Sequence, residues 1–432
     1  MSNDTSSQVA IDAKTLGAWL VHHTNKMNLI ETPPAAFGKI SVAGKATQLL
    51  SVLSASDDSS LNGDQVTALA HAANIETHLA LPSLLGILRE ARLIDVAANG
   101  GVHVLGVTQS TLLQRGAEIF KNLSPSQGAQ ATIALAEQAS RAPIEYAATL
   151  EWLGDSHRLS RQEAADVLSL SEQIGFVDNE TIDSSRKLYF NGNLFRRDSV
   201  LKVQKVIASL TPSDSSRVLE LDELLKRQGC VLLENATTML GEKLLDKVLS
   251  VGMFDVSVVS NDSENTSFVT RPAAFSKYSD PFVDDALDLA KALVSSVTYG
   301  MIKSSASRGQ IRMPDAILNA LLRGQWVGPV AAIGQDYKIL EMKRVVEIRK
   351  EGRGYSMRLL KKEVGEVARD VLTHGDGSTN RVATMPGASI TRFQPPESQR
   401  EQVRALGRKK TITDRRGTTD VLLAIRTGSF SA

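Results

Sequence analysis

Three short stretches decide how this chain folds: Leu93-Ile94-Asp95, Phe176-Val177-Asp178 and Met253-Phe254-Asp255. Each has two apolar residues before an aspartate, and the three recur at intervals of about 80 residues, which indicates an internal repeat. The pattern predicts an amphipathic helix that runs directly into a short strand. The segments with helical spacing of apolar residues are 81–92, 160–175 and 239–252.

Flanking residues complete the order of elements. Gly175 and Gly252 stand where a helix ends through a left-handed residue. After each stretch, a polar turn and a second apolar segment predict a hairpin, with the second strands at 102–107, 188–190 and 267–270. More helices are expected upstream of each amphipathic helix, over 46–55 and 63–73, then 126–140 and 143–154, then 214–228 with a short turn near 234–238.

Helix, helix, helix, hairpin is the order of the winged-helix superfamily, which residues 40–275 resemble in three tandem copies. The resemblance implies a predominantly helical α+β fold with small β-hairpins. Three winged-helix-like units are expected at residues 40–123, 124–210 and 211–280, after an N-terminal helical extension over 1–39. The resemblance rests on the order of the elements. The alternative interpretation is an ordinary α+β protein in which such triplets occur at helix–strand junctions by chance.

Charge divides the chain into two parts. Residues 1–300 contain 25 Lys and Arg against 35 Asp and Glu, whereas residues 301–432 contain 24 against 13. The net charge of +1 therefore combines an acidic body of −10 with a basic C-terminal part of +11.

The basic part has a pattern of its own. Residues 281–375 predict helices followed by a β-hairpin, and residues 376–432 form a basic C-terminal region that begins with many Gly, Thr, Ser and Pro residues. The helices are expected over 281–305, 316–322 and 361–372, and the two strands over 337–349 and 355–360.

Positive side chains in the last region suit a phosphate backbone, because guanidinium groups bind two oxygens and each neutralised phosphate releases a counterion. Arg400, Arg404 and Arg408 are spaced four residues apart, so they lie on one face if this segment is helical. A solvated helix face is the alternative interpretation. The predicted nucleic-acid contacts are Arg400, Arg404, Arg408, Lys409, Lys410, Arg415 and Arg416.

The winged-helix resemblance implies a second set of contacts, since such units bind DNA through the third helix and the hairpin. Carboxylates such as Glu163, Asp166 and Glu242 accompany these cations and weaken the case for DNA. The candidate contacts are Arg89, Arg92, Arg161, Arg186, Lys187, Lys243 and Lys247.

A nuclease of the PD-(D/E)xK type is the sharpest enzymatic hypothesis, because two carboxylates and a lysine can bind Mg²⁺ and orient water. Asp315 or Asp336 would supply the first acid, with Glu341 and Lys343 on one face of the strand predicted over 337–349. Against this hypothesis, Asp315 follows a proline at a helix start, and Asp336 lies only five residues from Glu341.

Composition excludes several other classes. Cys230 is the only cysteine, so an internal disulfide or a cysteine-based zinc cluster is excluded, and the seven histidines lack ligand spacing. We predict neither a metal nor a small-molecule cofactor. The N-terminus lacks a signal peptide and no segment is long and apolar enough for a membrane span, so a cytoplasmic location without membrane contact is expected.

The hypothesis that fits these features best is a non-enzymatic adaptor or regulatory subunit of a bacterial DNA-associated complex. Its winged helices would contact protein partners, and its basic region would hold duplex DNA or an acidic partner. At the level of fold, this resembles the accessory subunits of SMC-type, chromosome-organising ATPase complexes; phage defence is one setting for such a machine. The alternatives are a sequence-specific, duplex-DNA-binding transcriptional regulator and, second, the Mg²⁺-dependent nuclease.

Overall fold

The computed structural model describes most of the first 379 residues. Within them the chain is mainly helical, with small antiparallel sheets of two or three strands, so the predicted α+β class is confirmed. None of the described helices combines the length and the apolar composition that a membrane crossing requires. The described residues are 11–30, 33–56, 60–97, 101–108, 111–182, 186–195, 199–261, 264–278 and 284–379.

The elements form four groups, which we name repeats 1 to 4. Helix α1 (Ala13–Met27) comes before repeat 1, and α5, α9, α13, α14 and α18 lie between or after the repeats. Repeat 1 contains α2 (Gly38–Ser54), α3 (Gly63–Ala72), α4 (Ala80–Glu90), β1 (Ile94–Val96) and β2 (Val102–Val104), and is followed by α5 (Leu112–Asn122). Repeat 2 contains α6 (Gln127–Arg141), β3 (Ile144–Glu145), α7 (Tyr146–His157), α8 (Arg161–Ile174), β4 (Asp178–Thr181) and β5 (Lys187–Phe190), and is followed by α9 (Val200–Ala208).

The C-terminal half has the same organisation. Repeat 3 contains α10 (Pro212–Gln228), β6 (Cys230–Leu232), α11 (Leu233–Leu240), α12 (Glu242–Leu249), β7 (Asp255–Ser260) and β8 (Asn265–Thr270), and is followed by α13 (Ala273–Ser276) and α14 (Asp284–Ile302). Repeat 4 contains α15 (Pro314–Leu322), β9 (Val327–Val330), α16 (Ala331–Asp336), α17 (Lys338–Met342), β10 (Val346–Glu351) and β11 (Gly354–Leu359), and is followed by α18 (Lys362–His374).

All four repeats share one sheet topology. A strand after the first helix pairs with the second strand of the hairpin, which therefore lies in the middle of the sheet: β3-β5-β4, β6-β8-β7 and β9-β11-β10. In repeat 1 this first strand is reduced to one antiparallel bridge between Leu61 and Val102. The sequence analysis predicted only helices and a hairpin over residues 281–375, so repeat 4 is an addition made by the structure.

The third helix of every repeat ends in the same way. One residue takes a positive φ, and the next amide donates to the carbonyl five residues earlier, as in a Schellman cap. The positive-φ residues are Arg92 (56°), Gly175 (84°), Gly252 (72°) and Arg344 (55°). The capping bonds run from Leu93 to Leu88 (3.0 Å), Phe176 to Ser171 (2.8 Å), Met253 to Val248 (3.1 Å) and Val345 to Leu340 (2.8 Å).

The strand predicted over residues 337–349 is confirmed from Val346 onward, but its first part is wrong. Residues 338–342 form helix α17, and strand β10 begins at Val346. Tyr337 and Leu340 are both buried, and their three-residue spacing places them on one side of the helix. Alternation of polar and apolar residues over so short a segment fits one helical turn as well as a strand.

Two large apolar cores organise the described residues. The first joins α1, repeat 1 and part of α6, and the second joins the hairpin of repeat 3 with α14, repeat 4 and α18. Repeat 4 is thus packed on repeat 3 through buried side chains of α14, such as Leu293 and Val297.

A buried ion pair connects α1, repeat 2 and the segment after α13. The Nζ atom of Lys277 lies 2.5 Å from Oε2 of Glu137, and the Nε1–H of Trp19 donates to the same oxygen at 2.9 Å. Burial alone would raise the pKa of Glu137, but the Lys277 ammonium outweighs it and lowers the pKa. Beside this pair, burial lowers the pKa of His22 to about 3, so that imidazole is neutral.

Candidate nucleic-acid interface

Repeat 4 exposes part of its third helix and the turn of its hairpin to solvent. Leu340 of α17 and Val346 of β10 are buried against the second core, and Met357 of β11 joins them. The remaining side chains of α17 are exposed, including the apolar Ile339 and Met342, as is the hairpin turn Gly352-Arg353. These surfaces carry charged side chains beside two exposed apolar ones.

The four repeats differ sharply in charge over the third helix and hairpin. Residues 338–359 of repeat 4 contain seven Lys and Arg against three Glu, a net charge of +4. The same elements have net charges of 0 in residues 80–104, −3 in residues 161–190 and −3 in residues 242–270. A phosphate backbone would therefore be attracted to this surface of repeat 4 and not to those of repeats 2 and 3.

Four cations of repeat 4 form no ion pair with any described residue: Lys343, Arg344, Lys350 and Arg353. All four are exposed. Lys343 and Arg344 lie at the base of the hairpin, where α17 ends, and Lys350 and Arg353 lie at its tip. An extended strand of this length separates base from tip by about 20 Å, the length of about six base pairs of duplex DNA.

The other arginines of the hairpin are already engaged. Nε of Arg358 donates to Glu347 at 2.6 Å, and Arg349 lies 3.4 Å from Glu351. Both guanidinium groups also stack on Trp326, at 4.1 Å and 5.1 Å from its ring centroid for Arg349 and Arg358. Because two arginines cover Trp326, the indole is not a free platform for unpaired bases, and the arrangement suits a duplex better than a single strand.

A serine of the hairpin holds one of these carboxylates. The Ser356 hydroxyl donates to Glu351 at 2.7 Å and, with Arg349, lowers the pKa of Glu351. Glu351 is therefore ionised at neutral pH. Glu347 and Glu351 neutralise two of the cations beside the four free ones.

The contacts predicted in repeats 1 to 3 are dispersed rather than gathered. Lys187 pairs with Glu172 at 2.6 Å and Lys247 donates to Ser209 at 2.6 Å, so both of these side chains are used within the protein. The remaining candidates are exposed: Arg89 and Arg92 at the end of α4, Arg161 at the start of α8, Arg186 before β5 and Lys243 on α12.

The hairpin of repeat 3 is held at its turn by a polar network. Asn261 donates to the Tyr299 hydroxyl at 2.7 Å and to Asp336 at 3.1 Å, and Tyr299 donates to Glu264 at 2.9 Å. Arg308 closes the network through an ion pair with Asp336 at 2.5 Å. The turn of this hairpin is therefore fixed against α14 and α16.

The four nuclease candidates lie in separate environments. Asp336 is the buried partner of Arg308, and Asp315 accepts a hydrogen bond from Thr373 at 2.8 Å. Glu341 is on α17 and Lys343 caps its end; neither is on a strand. Among the described residues, no group of three or more His, Cys, Asp and Glu side chains could hold a metal ion. The predicted tail contacts, Arg400 to Arg416, lie outside the described residues.

Comparison with known proteins gives no relative: no family model matches the chain, and no curated protein matches it. Function must therefore be inferred from the surfaces described above.

The sequence contains a signal for repeat 4 beyond the three stretches quoted first. Val345-Val346-Glu347 is a fourth apolar-apolar-acid stretch, 92 residues after the third. Its left-handed residue is Arg344 instead of glycine, which hid the helix end. Part of the net charge of +11 in residues 301–432 belongs to repeat 4 and its surroundings. Residues 301–375 contain 14 Lys and Arg against 8 Asp and Glu, which is a net charge of +6.

Proposed function

We propose that this protein is a non-enzymatic adaptor of a DNA-associated complex, built from four tandem winged-helix units. In this proposal repeats 1 to 3 serve protein contacts, and repeat 4, together with the basic region after residue 376, holds duplex DNA. The repeated order of helix, strand, helix, helix and hairpin, with its constant sheet topology, supports the winged-helix assignment.

One observation supports the DNA contact more than any other. Lys343, Arg344, Lys350 and Arg353 form no ion pair within the part of the chain that the structure describes, are exposed, and lie at both ends of one hairpin. In winged helices the third helix and the hairpin are the elements that approach DNA. Free cations in those two elements gain the full benefit of counterion release, because no ion pair within the protein has to be broken first.

The protein contacts of repeats 1 to 3 rest on surface chemistry. The hairpin of repeat 3 exposes Val256 (42 %) and Val258 (57 %) on one side of β7. On α12, which comes before β7 in the chain, the exposed charged side chains are Glu242, Lys243 and Asp246, a mixed set with an acidic excess. Exposed apolar residues suit a protein partner, and an excess of carboxylates repels phosphate.

Duplex binding across a range of salt concentrations tests the proposal. A fluorescent 20-base-pair duplex is titrated with the full chain and with a variant in which Lys343, Arg344, Lys350 and Arg353 are changed to Gln. Loss of four phosphate contacts is expected to reduce the slope of log K against log salt by between about 3 and 4 and to lower affinity at low salt at least a hundredfold.

The matched control changes the candidates in the other repeats: Arg89, Arg161 and Lys243 to Gln. This variant should bind the duplex within about twofold of the parent, since those cations are dispersed. Unchanged unfolding midpoints exclude a folding defect in either variant. Equal affinity and slope for the parent and the four-residue variant would remove repeat 4 from the DNA interface.

The two alternative functions give different results in related assays. Selection from a random duplex library that converges on one sequence, bound more than about a thousandfold tighter than the rest, would favour a sequence-specific regulator. Cleavage of duplex DNA that requires Mg²⁺ and is lost when Glu341 and Lys343 are changed to Ala would favour the nuclease.

A further inference from the structure

A cavity of about 470 Å³ lies between repeat 2 and the two helices that flank repeat 1. Its walls come from α1 and α5, which flank repeat 1, and from α6 and α7 of repeat 2, so it is formed only when these helices pack together. The volume lies within the range of cavities that bind small molecules. The cavity is far along the chain from repeat 4 and has no part in the DNA contact.

Apolar side chains, several polar ones and one cation line the cavity. Phe120 and Ile133 are buried and Leu16 is half-buried, and these three form the apolar part of the wall. Lys121 also lines the cavity and forms no ion pair with a described residue. A cation beside an apolar cavity favours a ligand that has an apolar body and one negative group.

Two aromatic side chains of α7 form another part of the cavity wall. Trp152 and His157 line the cavity and meet edge to face, with ring centroids 6.0 Å apart and an interplanar angle of 84°. Burial lowers the pKa of His157, so at neutral pH its ring is uncharged and offers one donor and one acceptor. A flat ring packs well against an indole, because aromatic rings combine a large apolar area with a fixed shape.

We propose that this cavity is a binding site for a small, ring-containing carboxylate, with the ring between Trp152 and the apolar wall and the carboxylate paired with Lys121. Such a ligand contacts α1 and α5 as well as α6 and α7 of repeat 2, and therefore stabilises the packing of these helices. The proposal is independent of DNA binding, because the cavity and the basic surface of repeat 4 share no residue.

Phenylacetate is the probe, and its uncharged analogue 2-phenylacetamide is the matched ligand control. Saturation-transfer NMR and tryptophan fluorescence follow titrations of the full chain. A probe of this size should bind with a dissociation constant in the millimolar range, because affinity is limited by the number of atoms in contact. The amide should bind about tenfold more weakly, since it lacks the charge that pairs with Lys121.

Variants of the chain complete the test. Lys121→Gln should weaken phenylacetate binding about tenfold and leave amide binding unchanged, whereas Trp152→Leu should weaken both ligands. Lys202→Gln, which removes an exposed cation of α9 remote from the cavity, is the control and should change neither. Phenylacetate binding that does not saturate by about 50 mM, or that is the same in the parent and in Lys121→Gln, would overturn the proposal.

Discussion

The hairpins of repeats 3 and 4 have the same topology and strands of the same length, six residues each, yet they present different surfaces. In repeat 3 the turn is fixed by Asn261 and Glu264, and the exposed side of β7 is apolar. In repeat 4 the turn is exposed, and the free side chains are cations. One backbone thus exposes valines in one copy and cations in the other, because the surface depends on the side chains placed on a shared fold.

The largest expected change in stability comes from breaking the polar network that holds the hairpin of repeat 3. Asp336 is 1 % exposed and holds both Arg308 and Asn261, so Asp336→Ala leaves a guanidinium without its buried partner. The free energy of unfolding should fall by about 3 kcal/mol. Urea denaturation measures this loss, and hydrogen exchange should show reduced protection in β7 and β8.

Asp315→Ala is the control for that variant. Its carboxylate makes one exposed hydrogen bond, to Thr373, so the loss should be about 1 kcal/mol or less. A loss below about 1 kcal/mol for Asp336→Ala as well would show that the polar network does not hold the hairpin of repeat 3.

A moderate effect is expected from removing the carboxylates of the fourth hairpin. Glu347 and Glu351 neutralise Arg358 and Arg349, both at the surface. If repeat 4 binds DNA, Glu347→Gln and Glu351→Gln should each raise duplex affinity about threefold at low salt, and the gain should vanish at high salt. Glu242→Gln in repeat 3 is the matched control and should change affinity little; a fall in affinity for the repeat 4 variants would contradict a phosphate contact.

A smaller effect follows from the residues that end the third helices. Gly252 and Arg344 both have positive φ, at 72° and 55°. Gly252→Ala should lower the free energy of unfolding by about 1 kcal/mol, because no atom lies within 4 Å of the added Cβ and only backbone strain remains.

Arg344→Gly should raise the free energy of unfolding by up to about 1 kcal/mol while it lowers DNA affinity, a combination that a purely structural role for Arg344 cannot produce.

The last prediction compares the same substitution on the exposed side of one hairpin and on the buried side of the other, and its exposed member should give the smallest effect. Val258→Thr lies on the exposed side of β7 and should change the free energy of unfolding by no more than about 0.5 kcal/mol. Val346→Thr places a hydroxyl in the buried side of β10 and should cost between about 1 and 2 kcal/mol. Thermal and urea unfolding of both variants check this; equal losses would show that Val258 is buried in solution.

Particular residues explain how far the sequence could predict this fold. Gly175 and Gly252 mark helix ends because glycine adopts positive φ at low cost, and the apolar pairs that follow them predict buried strands. Arg344 has the same conformation without that signal, so α17 was predicted as a strand. A five-residue helix has little stability of its own and depends on the burial of Tyr337 and Leu340.

The candidate site was predictable only in its overall charge. The basic excess after residue 300 was visible in the sequence, but which cations are free was not. Arg349 and Arg358 are neutralised by carboxylates that the hairpin register brings opposite or beside them, whereas Lys350 and Arg353 at the tip have no such neighbour. Pairing of this kind depends on which residues face each other across strands, and sequence spacing alone does not give it.

By itself, the sequence determined the α+β class, the helix ends marked by glycine and the separation of an acidic body from a basic C-terminal part, since these follow from local conformational preference and from composition. The tertiary structure decided that a fourth copy of the repeat exists, that Asp336 fixes the third hairpin and that four cations of the fourth hairpin and its helix form no ion pair with a described residue. Each of these depends on contacts between residues that are distant in the chain. Such contacts form only when buried surfaces pack together.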